Sequence, residues 1–365
     1  MGIRVMLSGK KVLLAMSGGV DSSVAAILLQ DMGFEVIGIT FPTWTTGDDS
    51  SAALAAENID AARAVAKSLG IQHLTLNCRN QFENGVVKNF VRSYLSGLTP
   101  NPCVTCNSLI KLGVLLERMH SLGCDWIATG HYARTLFDRL RQRYLILRGT
   151  DETRDQSYFL HTLKQEQIQH LLLPLANFSK EMIRSIAAER DLPHKERPES
   201  QDICFVPQGK YADFIEAYTG HPASPGDIVD TNGRVLGQHE GIIRYTIGQR
   251  KKLGIAATEA LYVLGIDPER NTVIVGPDDL LWKDTIQVTA VNWISFPKLL
   301  RPINVNTVIR HRGDPVEARL YPVGEDDVRV ELTKKVRAIT PGQSAVFYLG
   351  DELVGGGQIR RGYNR

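Results

Sequence analysis

Along the first 130 or so residues, short apolar runs alternate with stretches of helical period, the pattern of a parallel sheet crossed by helices. Lys11–Met16 is an apolar run that ends in a glycine turn, and Asp21–Met32 puts Val24, Ile27 and Leu28 on one helical face. Glu35–Phe41 predicts a second strand, Ala53–Leu69 an Ala-rich helix closed by Gly70, and Ile71–Asn77 a third strand. Asn107–Ser121 predicts a helix stopped by Gly123, followed by a fourth strand over Asp125–Thr129. After Ser157 the period is helical over Gln165–Leu173 and Ser179–Arg190, with Ser179 at an N-cap. Pro193–Pro198 is a polar, charged break. Beyond Tyr211, short β-type runs lie between glycine and proline turns: Ile228–Asp230, Tyr262–Ile266, Thr272–Val275, Thr285–Val291, Asn304–Ile309, Val328–Leu332 and Ala345–Tyr348. Strands at that spacing predict a small β domain and then a barrel. The expected architecture is therefore α/β: a nucleotide-binding domain over 1–209, a central β-rich domain over 210–280 and a C-terminal β-barrel over 281–365.

An apolar share of 43% against 22% charged residues marks a globular chain. No window approaches the roughly 18 uninterrupted apolar residues of a membrane span. Met1-Gly2-Ile3-Arg4 does not lead into a secretory signal. The expected location is the cytoplasm, with no membrane partner. Five cysteines, Cys78, Cys103, Cys106, Cys124 and Cys204, make an odd count that argues against a disulfide scaffold. The net charge of +2 is unevenly spread, because residues 281–365 hold 13 Lys/Arg against 9 Asp/Glu. Arg134 to Arg148 contains five arginines and a single acid, Asp138. Each patch reads equally as a solvated face or a phosphate-binding one.

The strongest chemical signal is Ala15-Met16-Ser17-Gly18-Gly19-Val20-Asp21-Ser22-Ser23, between a strand and a helix. Two glycines let the turn bend and bring backbone N–H groups close to a ligand. The helix N-terminus behind them favours a polyanion. Ser17, Ser22 and Ser23 add hydroxyls, and Asp21 could hold Mg²⁺. The Gly-Lys-Ser/Thr ending of a Walker A loop is missing, so transfer of the γ-phosphate is not the expected chemistry. The motif resembles the PP-loop of the ATP pyrophosphatases, which grips pyrophosphate while a nucleophile takes AMP.

The cysteines narrow the reaction. Asn101-Pro102-Cys103-Val104-Thr105-Cys106-Asn107 puts a thiol just ahead of the predicted helix, where a helix N-terminus would lower its pKa. Gln201-Asp202-Ile203-Cys204-Phe205 follows the polar break. Cys103-x-x-Cys106 alone could be a redox pair or half a zinc site, but no second such pair exists for zinc. Cys78 and Cys124 flank strands and are expected as core thiols.

The PP-loop, Thr99-Pro100-Asn101-Pro102 through Cys106-Asn107, Ala128-Thr129-Gly130-His131-Tyr132 and Asp155-Gln156-Ser157-Tyr158-Phe159-Leu160 occur in this order. Asp202-Ile203-Cys204-Phe205, Gly248-Gln249-Arg250 and Thr340-Pro341-Gly342-Gln343-Ser344-Ala345-Val346-Phe347 follow them. As an ordered set they resemble the tRNA-specific 2-thiouridylase family across essentially the whole chain. The resemblance implies an N-terminal PP-loop ATP pyrophosphatase domain (adenine nucleotide α-hydrolase-like). It also implies an ATP-dependent sulfurtransferase acting on the wobble uridine of tRNAs for Lys, Glu and Gln.

By the same resemblance Cys106 is the nucleophile and Cys204 receives sulfur as a persulfide. ATP, with Mg²⁺, is expected at Ala15–Ser22, Phe41 and Gly130. The target base is expected at Asn101, Pro102 and Cys103, and further tRNA contacts at His131, Arg154, Asp155, Gln156, Arg310, His311 and Gln343. Cys103 stands where many relatives carry Asp, and Phe41 where relatives often have Met.

The chemistry is coherent. Adenylating the C2 oxygen of uracil turns a poor leaving group into AMP. A persulfide on Cys204 then attacks C2, or sulfide is released when Cys106 attacks the persulfide, leaving a Cys106–Cys204 disulfide to be reduced. The sulfur donor would be a cysteine desulfurase or a relay protein. Cys103, Cys106 and Cys204 could instead hold an iron–sulfur cluster, such as [4Fe-4S], with one iron open for sulfide. Two other classes stay open: a PP-loop amidating ligase, which needs no paired thiols, and a tRNA-binding or sulfur-carrier protein with a vestigial nucleotide site.

Overall fold

Strand β1 (Lys11–Ala15) is covered on both faces, which is why its sequence is continuously apolar rather than alternating. Val12 and Leu14 enter one core and Leu13 the other. The computed structural model describes residues 9–42, 44, 49–193, 203–206 and 210–362. Helix α1 (Val20–Asp31), β2 (Glu35–Thr40), α2 (Asp49–Leu69) and β3 (Gln72–Thr75) complete the first half of the α/β unit. A helical run over 79–95, α3, is π-helical at Glu83–Val87, and a second over 102–121, α4, is π-helical at Asn107–Val114. Then come β4 (Trp126–Ala128), β5 (Ala133–Asp138), β6 (Arg143–Arg148), α5 (Gln165–Gln169), β7 (Leu171–Leu172) and α6 (Lys180–Glu189).

The N-terminal sheet has the order β3-β2-β1-β4-β7 and its pairs are parallel. Chain direction reverses its winding at β1, so the crevice at the carboxyl ends of β1, β2 and β4 is the expected ligand position. Ser179 caps α6 by accepting from the Met182 N–H at 3.4 Å, as its sequence position predicts. The helix predicted over Gln165–Leu173 stops at Gln169. Leu171 and Leu172 pair instead with Ile127 and Ala128 as an edge strand, since burial beside β4 overrides helical period. Apart from Pro193 itself, the polar break Pro193–Pro198 lies outside the described residues.

Helix α7 (Tyr211–Thr219) precedes a four-stranded sheet of β8 (Gly226–Val229), β9 (Val235–His239), β10 (Tyr262–Asp267) and β11 (Thr272–Gly276), in the order β10-β11-β8-β9. The C-terminal barrel is built from β12 (Trp282–Trp293), β13 (Ile303–Val308), β14 (Val316–Pro322), β15 (Val328–Arg337), β16 (Ser344–Leu349) and β17 (Glu352–Ile359). Its order is β12-β15-β14-β13-β16-β17, and pairing of β12 with β17 closes it, leaving no open edge. Among the described residues no helix is long and apolar enough to cross a membrane.

The barrel extends into the first domain. The hairpin β5–β6 joins the outer side of β17 at Leu147–Glu352. That junction consumes most of the arginine patch. Arg134 pairs with Asp351 at 2.7 Å, and Arg141 pairs with Asp138 at 3.3 Å and Glu352 at 2.5 Å. Arg143 donates to the carbonyls of Ile294 (2.8 Å) and Trp293 (3.2 Å), and Arg148 reaches Asp155 at 3.4 Å. Arg141 and Arg143 are therefore engaged within the protein: their guanidinium groups staple domain to barrel. Arg143→Ala should lower unfolding stability by about 2 kcal/mol, because two carbonyls lose a charged donor. Thermal and urea melts check this, and an unchanged midpoint would contradict the staple.

Candidate active site

The loop from Met16 to Gly19 is wired by its own hydroxyls. Ser17 N donates to Ser22 Oγ (3.2 Å), Gly19 N donates to Ser17 Oγ (3.3 Å), and Ser22 and Ser23 Oγ both donate to the Gly19 carbonyl (3.0 and 2.9 Å). Gly18 has φ +76°, and a Cβ there would lie 2.7 Å from the Asn58 carbonyl oxygen on α2, so only glycine fits. Gly19, the N-cap of α1, makes no side-chain cap, which leaves the first-turn N–H groups facing the crevice. Gly130, just past β4, seals the other wall: a Cβ there would stand 3.1 Å from Asp21 C and Ser22 N. Phe41 is half-buried at the end of β2, beside Ala15 in the same apolar cluster. Met16 is buried, with its carbonyl held by Thr40 Oγ1 at 2.8 Å. Sites expected for ATP thus converge on one cradle, open where a polyphosphate would meet a helix N-terminus.

Asp21 lies in the first turn of α1. Its Oδ1 accepts from Tyr132 OH and from Lys180 Nζ, both at 2.7 Å, and the Lys180 side chain is almost wholly buried. Mg²⁺ usually takes one or two carboxylates together with substrate phosphates, so Asp21 is a fitting protein ligand. Lys180 was not singled out from sequence. Its signal is positional only: it opens α6 directly after the Ser179 cap.

The thiol half of the site sits on α4, whose start corrects the sequence reading. The helix begins at Pro102 rather than Asn107, with Asn101 as N-cap accepting from Cys103 N at 3.2 Å. Cys106 therefore lies inside the helix and gains no lowered pKa from its end. Burial pushes the Cys106 thiol up to about 11 and Cys204 up to about 12, and raises Cys103 as well. By surface, Cys103 and Cys204 are exposed and Cys106 is half-buried. Cys103 lies one turn before Cys106 on α4, Cys106 packs against the apolar cluster that also takes in Ile203, Phe205 and Val206, and Cys103 and Cys106 both raise the Cys204 pKa. Cys78 and Cys124 are core thiols, as expected.

One cation opposes this burial at all three thiols: Lys111. It lies five residues after Cys106, across a π-helical turn, and π-helical i→i+5 geometry returns residue 111 toward the face of residue 106. Gly113 permits the turn, since a Cβ there would stand 2.9 Å from the Ser108 carbonyl oxygen, which Gln167 Nε2 binds at 2.8 Å. Sequence reading missed Lys111 because α-helical spacing points it elsewhere. Lys111→Gln should shift the pH profile of Cys106 alkylation upward by about one unit. Iodoacetamide labelling followed by peptide mass spectrometry measures this, and an unmoved profile would remove Lys111 from the site.

The barrel braces the loop before α4. Gln343 Nε2 donates to the Thr99 carbonyl (2.8 Å), Thr99 N donates to the Pro341 carbonyl (2.9 Å), and Gly342, at φ +93°, packs on Thr99. His131 is buried against Thr129 Oγ1 at 2.8 Å. Burial, with Lys111 adding to it, holds its pKa down to about 3, so the ring is neutral at physiological pH. Asp155 accepts from Gly149 N and Ser157 N, both at 3.1 Å, and Gln156 Oε1 accepts from Tyr132 N at 3.1 Å. Arg154 closes the turn through its N–H to the Asp151 carbonyl. Arg310 and His311 follow β13, and the His311 ring rests 4.3 Å from Phe159. The expected tRNA contacts therefore form two groups. His131 and Gln343 lie beside the cradle and thiol loop, and His311 lies beside the 155–159 segment.

Among the described residues, no three His, Cys, Asp or Glu side chains are arranged to hold a metal ion. The three thiols are neighbours without forming a ligand set, so they do not fit the expected iron–sulfur cluster as they stand.

Family models described as tRNA methyl transferase HUP domain, tRNA methyl transferase PRC-barrel domain and aminomethyltransferase beta-barrel domain match residues 10–208, 212–277 and 283–359. The tRNA-specific 2-thiouridylase MnmA 1 of Caldanaerobacter subterraneus is 47% identical over 356 residues, covering 96% of this chain and 98% of that one. The tRNA-specific 2-thiouridylase MnmA of Desulfitobacterium hafniense is 45% identical over 362 residues, with the same two coverages. Among solved structures, the U34-tRNA thiolase NcsA from Methanococcus maripaludis with its [4Fe-4S] cluster aligns at a TM-score of 0.36 and 19% identity, over 60% of this chain and 72% of that one. That likeness is too low to carry the cluster across. Identity near one half along nearly the full length, on a PP-loop cradle with adjacent thiols, leaves one assignment: the chain belongs to the tRNA-specific 2-thiouridylase family.

Proposed function

We propose that this chain performs ATP-dependent 2-thiolation of the wobble uridine (position 34) of tRNA, with the tRNAs for Lys, Glu and Gln as acceptors. The observation that carries the reading is the placement of Cys106 and the Ile203–Val206 turn against one apolar cluster, with Cys103 one helical turn away, in a chain that also carries the Ser17–Ser22 loop at a helix N-terminus. Residues 1–209 would be the catalytic domain, 210–280 the central domain and 281–365 the tRNA-binding barrel. In this reading α1 and its loop take the phosphates, Asp21 holds Mg²⁺, and Phe41 walls the adenine. Asn101, Pro102 and Cys103 take the target base, and His131, Arg154, Asp155, Gln156, Arg310, His311 and Gln343 face the tRNA.

Adenylation makes the C2 oxygen leave as AMP. Sulfur reaches C2 from a persulfide on Cys204, loaded by a cysteine desulfurase or a relay protein, with Cys106 as nucleophile. Buried thiols suit this division of labour. A persulfide is more acidic than its parent thiol, so a site that keeps Cys204 protonated can still hold an ionised persulfide. Methyl transfer, named in two of the matched models, calls for neither a PP-loop nor paired thiols, and an amidating ligase does not call for the thiols.

Unmodified tRNA, ATP, Mg²⁺ and a low-molecular-weight persulfide donor should yield 2-thiouridine at the wobble position, read by nucleoside mass spectrometry. A methylated or amidated nucleoside, or none, would refute the proposal.

A further inference from the structure

Cys204 belongs to neither a helix nor a strand. Within the described stretch Ile203–Val206 the backbone bond is a single turn, Val206 N to the Ile203 carbonyl at 3.1 Å. The next residue is different in kind. Phe205 is 6% exposed, while Cys204 is exposed. Its ring stands 5.3 Å from Phe90, 5.4 Å from Phe214, 5.6 Å from Phe82 and 6.5 Å from Trp44, all edge-on or nearly so. Such edge-to-face contacts add directional preference to apolar burial.

The seat comes from separate elements. Phe82 and Phe90 lie on α3, Phe214 on α7, and Trp44 follows β2. Glu83 ties two of them, accepting from Trp44 Nε1 at 3.4 Å and from Tyr218 OH at 3.1 Å. Cys106 packs against this same cluster from α4. The ring of Phe205 and the sulfur of Cys106 are thus referenced to one apolar body, and Cys204 is one residue from that ring.

We propose that Phe205 is a positioning residue for sulfur transfer: seated among Trp44, Phe82, Phe90 and Phe214, it holds Cys204 against Cys106. This rests on the reading that Cys204 carries the sulfur. A thiol on a short turn samples many directions, and fixing its neighbour converts a chance encounter into an intramolecular one. The seat also has a domain on either side, because Phe214 lies in the stretch matched by the PRC-barrel model and Phe82 and Phe90 in the HUP match. A shift of α7 relative to α3 would open it and release Cys204.

The test is a cross-linking rate in the full chain carrying Cys78→Ala and Cys103→Ser, which removes the two other thiols near Cys106. Diamide accepts the two electrons and two protons lost as the Cys106 and Cys204 thiols become a disulfide, and linked-peptide mass spectrometry follows its formation. Phe205→Ala should slow that bond by about tenfold or more, and Phe205→Leu should restore most of the rate. Phe214→Ala, which removes one wall of the seat, should slow it likewise, while tRNA-dependent pyrophosphate release stays at the parent rate. Cross-linking at the parent rate in Phe205→Ala, or in Phe214→Ala should the first variant fail to fold, overturns the proposal. A failure of the underlying reading looks different: Cys204→Ser would still thiolate tRNA, whatever the cross-linking rate.

Discussion

Cys204→Ser should cut 2-thiouridine formation by about 10⁴-fold or more, while tRNA-dependent release of pyrophosphate continues. The split follows from the layout. In the proposed reading pyrophosphate leaves from the cradle at the end of β1, whose parts are Ser17, Gly18, Gly19 and the first turn of α1. Sulfur would arrive on the separate turn Ile203–Val206, closed by the Val206 N–H to the Ile203 carbonyl. Serine keeps the shape at position 204 and cannot bear a second sulfur. Cys106→Ser should be as damaging to thiolation, because the two thiols act on one sulfur and their losses do not add. Quantifying AMP, pyrophosphate and 2-thiouridine in the same reaction separates the steps. Thiolation retained in Cys204→Ser would mean that sulfur enters by another route.

Lys180→Met should slow pyrophosphate release by about 10²- to 10³-fold. The Lys180 ammonium is almost fully buried and its partner within 2.7 Å is Asp21, in the first turn of the nucleotide helix. In a water-poor site a fixed cation beside a polyphosphate is worth far more than one in solvent. Its removal also deprives the Asp21 carboxylate of its charged partner, leaving the Tyr132 hydroxyl bonded to it at 2.7 Å. Adding Asp21→Asn to Lys180→Met should not restore the rate, because it also removes the carboxylate proposed to hold Mg²⁺. A double variant faster than the single one would show that Asp21 repels the nucleotide rather than holding the metal.

What the sequence made legible followed from local rules. The strand–glycine–helix signature over Lys11–Asp31 stands where it was read, and so does the Ser179 cap. Both are set by residues within a few positions of one another. The barrel was legible as a class, though two of its strands were missed: Gly355, Gly356 and Gly357 interrupt the alternation of β17, whereas Val316–Leu320 in β14 alternates cleanly and was passed over. Long-range pairing was not legible. Nothing in Arg134–Arg148 says that β5 and β6 will dock on a strand some two hundred residues later, and this docking gives the arginines their carboxylate partners. The π-turn over Asn107–Val114 was equally hidden. It depends on Gln167 binding the Ser108 carbonyl, a contact across 59 positions that brings Lys111 to the thiols. The environments of the candidate residues are therefore what local rules do not show. Cys106 was expected to have a lowered pKa, and burial raises it.

The measurement that bears most directly on the central claim follows one oxygen atom. A tRNA carrying oxygen-18 at C2 of its wobble uridine is incubated with the enzyme, ATP, Mg²⁺ and a persulfide donor. If the C2 oxygen is adenylated and displaced by sulfur, the label appears in the phosphate of AMP, one labelled AMP for each 2-thiouridine formed. AMP without label, or ADP as the product, would contradict the account.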